Sequence, residues 1–129
     1  MRAFLFTLTI LFAGTFVQAQ GVEQLELKNG EQKTTKTGRV TIKFLELIED
    51  SRCPADVNCV WAGVARIKVR LSKNGKSADF ELNTNQADKP AVFRGLSVAL
   101  RDLKPRQSTT SKYSPSAYSA VLTVSRPKP

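Results

Sequence analysis

Two cysteines, Cys53 and Cys59, lie within the stretch Asp50-Ser51-Arg52-Cys53-Pro54-Ala55-Asp56-Val57-Asn58-Cys59-Val60-Trp61-Ala62-Gly63, which also holds the single tryptophan. Thiols at that spacing could form a structural disulfide, exchange electrons or ligate a soft metal. A redox pair favours Cys-x-x-Cys spacing with a depressed thiol pKa, and Cys-x5-Cys is wider than that. Zinc or copper would need further soft or imidazole ligands, yet the chain has no histidine and its one methionine is the initiator. Asp50, Asp56 and Asn58 offer oxygens that suit calcium, but such residues in a loop more often make turn hydrogen bonds. The expectation is therefore a Cys53–Cys59 disulfide, with no metal and no cofactor. Closing so short a loop stabilises the fold by about 2 kcal/mol on the chain-entropy account.

Catalysis finds little support in the same inventory. Hydrolytic triads lean on histidine, and the neighbouring carboxylates Glu46, Glu49 and Asp50 read as a solvated strand end rather than one cleft. No catalytic residue is assigned. Two readings of the cysteine loop follow. In the first it is a stapled corner: Asp50 or Ser51 bonds loop amides, Pro54 fixes the turn, Trp61 packs on the sheet beside the disulfide, and Gly63 permits a bulge or close approach. In the second it is a presented recognition loop with Asp50, Arg52, Asp56, Asn58 and Trp61 as candidate interaction residues. A basic side chain on a short rigid loop is how several unrelated protease inhibitors address a trypsin-like pocket, since rigidity lowers the ordering cost of binding.

The first residues decide which chemistry the cysteines meet. Arg2 supplies a positive start, Ala3 to Ala13 an apolar core and Val17-Gln18-Ala19 a small-residue exit, the pattern of a secretory signal peptide cleaved between Ala19 and Gln20. The apolar run ends by Val17, short of the roughly 20 residues that span a bilayer, and no later stretch is long enough. Residues 1–19 are thus the signal, and 20–129 form one domain in the oxidising periplasm or medium, where disulfides persist.

The whole chain carries a net charge of +9, and loss of Arg2 with the signal lowers it by one. That sign attracts anionic partners without specifying a fold. Arg66, Lys68 and Arg70 project from one strand face as a candidate basic patch, although Asp79 and Glu81 should lie across from it. Nucleic acid is not expected: export removes that partner, and few aromatic residues remain for base stacking.

Alternating stretches place these residues. Residues 22–28 read as a first strand ending at Asn29-Gly30, a hairpin signal. Residues 39–48 put Val40, Ile42 and Phe44 on one face; Leu45 and Leu47 have the opposite parity, so either both faces are covered or a bulge shifts the register. Residues 64–71, turned by Asn74-Gly75 into 76–83, set Ile67 opposite Leu82, Val69 opposite Phe80, Leu71 opposite Ala78, Lys68 opposite Glu81 and Arg70 opposite Asp79. Ala91 to Arg94 reads as a short strand or turn. Residues 96–103 alternate through Leu96, Val98 and Leu100 until Pro105, and Tyr118 to Ser125 is the last strand, with Tyr118, Ala120, Leu122 and Val124 on one face. Six or seven antiparallel strands without helical periodicity predict a small all-β sandwich or barrel.

The motif Asp-Ser-Arg-Cys-Pro followed by Cys-Val-Trp-Ala-Gly resembles that of a set of small exported bacterial proteins, many of them lipoproteins, that carry DSRCP and C-x-W-A-G. This chain differs from the lipoprotein members in having no cysteine at the cleavage site. The resemblance implies export and a β-domain and brings no activity with it. The sequence therefore points to an exported, non-enzymatic interaction module whose partner is an envelope or extracellular protein or an anionic polymer. A protease inhibitor acting through the Arg52 loop is the alternative.

Overall fold

The computed structural model describes residues 14, 22–86 and 89–126; the expected signal and its cleavage site, apart from Gly14, lie outside them. Among the described residues eight strands run in order: β1 Glu23–Lys28, β2 Gln32–Thr34, β3 Thr41–Asp50, β4 Ala65–Lys73, β5 Lys76–Asn83, β6 Ala91–Phe93, β7 Leu96–Lys104 and β8 Ser119–Ser125, with one 3₁₀ turn at Pro115–Ala117. They form two antiparallel four-stranded sheets, ordered β1-β8-β7-β6 and β2-β3-β4-β5. The sheets pack face to face as a sandwich and do not close into a barrel.

Alternation builds the core. Val40, Ile42, Phe44, Ile67, Val69 and Leu71 of one sheet meet Leu27, Leu96, Val98, Leu100, Ala120, Leu122 and Val124 of the other, all at most 1% exposed. At one edge of the sandwich the Phe80 and Phe93 rings meet edge-to-face, with centroids 6.2 Å apart.

The β4–β5 hairpin has the expected register at every named pair. Asn74 (φ 52°) and Gly75 (φ 76°) are both left-handed, as a two-residue type I′ turn requires. Arg94 (φ 51°) and Gly95 (φ 74°) repeat that geometry between β6 and β7, so Ala91 to Phe93 is a strand and the turn follows it. Asn29-Gly30 behaves differently. Glu31 N–H closes a turn on the Lys28 carbonyl, but only Gly30 is left-handed. The chain therefore crosses from β1, paired with β8, to β2, paired with β3, rather than forming a hairpin. β2 itself escapes sequence reading because it is three polar, exposed residues long.

β3 settles its parity conflict with bulges. Its register on β4 shifts between Phe44 and Glu46 and again between Leu47 and Glu49. Each extra residue reverses which face the following side chains address. Ile42 and Phe44 point inward, Leu47 inward after the first shift, and Asp50, opposite buried Ala65, inward after the second. A similar shift in β7 between Leu100 and Asp102 returns Leu103 to the core. Two insertions in β3 thus carry a carboxylate to the inner face at one end of the sandwich.

Candidate functional site: the disulfide loop and its buried anchor

The connection from β3 to β4 extends that hairpin beyond the sheet. Ser51 N–H bonds the Val64 carbonyl at 2.8 Å and Cys53 N–H the Ala62 carbonyl at 3.3 Å, so the two legs of the loop are joined at its base. Cys53 and Cys59 form the expected disulfide, with Cα atoms 5.8 Å apart. Val57 N–H closes a turn on the Pro54 carbonyl. Gly63 has φ +64°, and a Cβ there would overlap the Ser51 carbonyl oxygen, so the close approach expected of this glycine is present.

Beneath the loop lies a buried polar network. Arg52 donates from Nε to Asp50 Oδ1 at 2.8 Å and from Nη2 to Asp50 Oδ2 at 3.0 Å. Its Nη1 reaches the Leu103 carbonyl at 2.6 Å and its Nη2 the Pro105 carbonyl at 3.1 Å. The Tyr118 hydroxyl donates to Asp50 Oδ2 at 2.9 Å and accepts from Gln107 Nε2 at 2.6 Å. The side chains of Asp50 and Arg52 are only 6% and 10% exposed. Burial disfavours the ionised Asp50, but the bonds from Arg52 and Tyr118 outweigh it and hold the carboxyl below its ordinary range. Burial, reinforced by the Asp50 charge, raises the Tyr118 phenol. The pair is charged, hydrogen-bonded and shielded from water, so each partner offsets the cost of burying the other, and losing either would leave an uncompensated buried charge.

Arg52 is therefore not presented to a protease pocket. Its guanidinium points inward and fastens the loop to the β7–β8 connection, because the second bulge has already turned Asp50 to the inner face. Trp61 also departs from expectation. It does not pack on the sheet beside the disulfide: it is 78% exposed and its neighbour Val60 95% exposed, since the paired base of the loop holds both outside the sandwich.

The remaining loop residues serve as moorings. Asp56 accepts from the Thr109 backbone N–H at 2.9 Å and from its hydroxyl, and these bonds lower its carboxyl pKa. Ala55 N–H bonds the Gln107 carbonyl, and Arg106 Nε the Cys53 carbonyl, both at 2.9 Å. Asn58 stays exposed. An open cleft of about 430 Å³ beside the disulfide is bordered by Pro54, Val57, Val60, Trp61 and Arg106. Gln107, Thr109 and Arg106 reach the loop from more than fifty positions away, and no local pattern marks them.

The basic row is neutralised. Arg66 pairs with Glu49 at 2.6 Å and Glu81 at 2.7 Å, Lys68 with Glu46 at 3.6 Å, and Arg70 with Asp79 at 2.7 Å. Glu46 and Glu49 are held by this row and Asp50 by Arg52 and Tyr118, so the three carboxylates do not share one site. Among the described residues no group of three or more metal-ligating side chains converges, and no helix is long and apolar enough to cross a membrane. No protein family, curated protein or solved structure matches this chain.

Proposed function

We propose that this protein is an exported, non-enzymatic interaction module whose disulfide loop presents Val57, Val60 and Trp61 to a partner protein. The observation that carries this reading is the contrast within one loop. Every polar anchor is turned inward or moored, while Trp61 and Val60 stand 78% and 95% exposed. A tryptophan on a rigid support offers a large contact area at low ordering cost, the usual profile of an interface anchor. Arg106, exposed at the border of the cleft, uses Nε on the Cys53 carbonyl and has further guanidinium donors to offer a carboxylate on the partner. The disulfide suits an oxidising exported location, in keeping with the leader-like residues 1–19.

The test is capture by the oxidised protein from envelope and culture extract, washed at high salt, compared with Trp61→Ala. A defined protein retained by the first and lost from the second supports the reading. Identical retention by both defeats it.

A further inference from the structure

Of the twelve described basic residues outside any ion pair, six gather at one end of the sandwich, away from both the Arg66–Arg70 row and the Trp61 loop. Lys36 and Arg39 lie in the β2–β3 connection, Lys73 and Lys76 flank the β4–β5 turn, Arg94 sits in the β6–β7 turn, and Arg126 follows β8. Strand direction puts all six at the end opposite the disulfide loop. β3 and β7 begin there and run toward Asp50 and Leu103, whereas β4 and β8 finish there. None of the six is in an ion pair among the described residues. Among the described residues two carboxylates come near, and neither is in an ion pair with any of the six. Glu23 accepts the Lys36 and Thr37 backbone N–H groups at 2.9 Å each, and Asp79 is held by Arg70.

One feature of this end works against stability. Lys73 and Lys76 are directly paired across the turn, and like charges so placed destabilise a hairpin. An anionic surface outside the chain would relieve that repulsion.

We propose that this basic end docks on the surface of an anionic phospholipid bilayer. Three observations favour a bilayer over a soluble polyanion. The charges sit on turn tips and chain ends from both sheets at a common end, which suits a flat surface; the cleft beside the disulfide, which could hold a chain, is at the far end. Val22, 65% exposed, lies beside these charges at the start of β1 and can enter the headgroup layer. The apolar residues 3–17 stop five positions before Val22, so before the leader is cleaved, while it occupies a membrane, the basic end is held within about 18 Å of the surface. Docking in this way holds the Trp61 loop away from the bilayer by about 30 Å, the length of a ten-residue strand such as β3.

The experiment is co-sedimentation of oxidised residues 20–129, which include all eight strands, with vesicles of phosphatidylglycerol and phosphatidylcholine or of phosphatidylcholine alone. Binding is expected only to the anionic vesicles and is expected to disappear in high salt. It should fall about a hundredfold in Lys73→Glu/Lys76→Glu/Arg126→Glu, each charge contributing several-fold near an anionic surface. Circular dichroism checks that this variant folds, and Lys76→Glu alone, which gives Lys73 an opposite charge across the turn, provides a second folded variant with reduced binding. Trp61→Ala should bind vesicles as the wild type does, which separates this surface from the partner-binding loop. Equal binding to neutral vesicles, undiminished binding by the folded charge variants, or capture by soluble dextran sulfate without vesicle binding would overturn the proposal.

Discussion

The Tyr118 hydroxyl donates to the Asp50 carboxylate at 2.9 Å across 68 positions of sequence. The bond links the last residue of β3 to the residue preceding β8, and therefore one sheet to the other at the end that carries the disulfide loop. With Arg52 it makes the loop a continuation of the core rather than an appendage.

Removing one member of that network should be costly, because the groups left behind are buried. Arg52→Ala leaves Asp50 charged and buried, together with the Leu103 and Pro105 carbonyls it served. A loss of about 3 kcal/mol is expected, at the lower end of the range for breaking buried pairs. Tyr118→Phe, which deprives Asp50 and Gln107 of one bond each, should cost about 1–2 kcal/mol. Urea unfolding followed by circular dichroism measures both; an Arg52→Ala midpoint equal to that of the wild type would contradict the assignment.

Acid should dissolve the same anchor. Because the Asp50 carboxyl is held below its ordinary value in the folded state, its stabilisation is complete at neutral pH. It begins to fade near the unfolded value of about 4 and is lost as pH falls through the depressed folded value. Glu23 and Asp56 are lowered too and share the window. The expected result is an unfolding midpoint that drops below about pH 4, with a shallower drop in Asp50→Asn. Parallel curves for the two proteins would place the acid sensitivity elsewhere.

Gly63→Ala should be among the most damaging single-methyl additions in the chain. The residue is left-handed, and the added carbon meets the Ser51 carbonyl and comes within 3.0 Å of the Arg52 Cα. Backbone must move to make room, at a cost of about 2 kcal/mol or more. Thermal unfolding compared with Gly75→Ala, where strain remains but the space is open, isolates the overlap from the backbone preference.

Trp61 fluorescence reports the exposed tip directly. Emission of the oxidised folded protein should already be that of a hydrated indole, quenched readily by acrylamide and shifted little by urea. Trp61→Ala should change stability by less than about 0.5 kcal/mol. A blue-shifted, protected emission would mean that the indole is buried.

Lys76→Glu is expected to stabilise the fold. It replaces a like-charge cross-strand pair with an attractive one, for a gain of roughly 0.2–1 kcal/mol. A rise in thermal midpoint accompanied by weaker vesicle binding ties the repulsion to the docking surface.

Sequence alone determined the features that depend on near neighbours. Val69 faces Phe80 and Arg70 faces Asp79 because turn chemistry and a two-residue period fix a hairpin register within twenty positions. The disulfide followed from compartment and spacing, and the freedom required at Gly63 from its residue type. Asn29-Gly30 marks the limit of that logic: a turn formed there, but whether its arms pair depends on β8, ninety residues away.

The orientation of the site belonged to the tertiary structure. The alternation allowed a bulge in β3 or a sheet covered on both faces, and only pairing with β4 settled two shifts, which turned Asp50 inward. Asp50 then drew Arg52 inward, away from the presented position that the inhibitor alternative required. Trp61 remained outside because the base of its loop paired with itself, Ser51 to Val64 and Cys53 to Ala62, and left no sheet within reach. Charge behaved likewise. A count of lysines and arginines gives the sign of the field, whereas strand direction decides that Glu49, Glu81 and Asp79 neutralise one row while six cations gather unpaired at the far end. Residue type sets what a side chain can do, but which partners it meets depends on contacts between segments distant in sequence, and those exist only once the two sheets have packed.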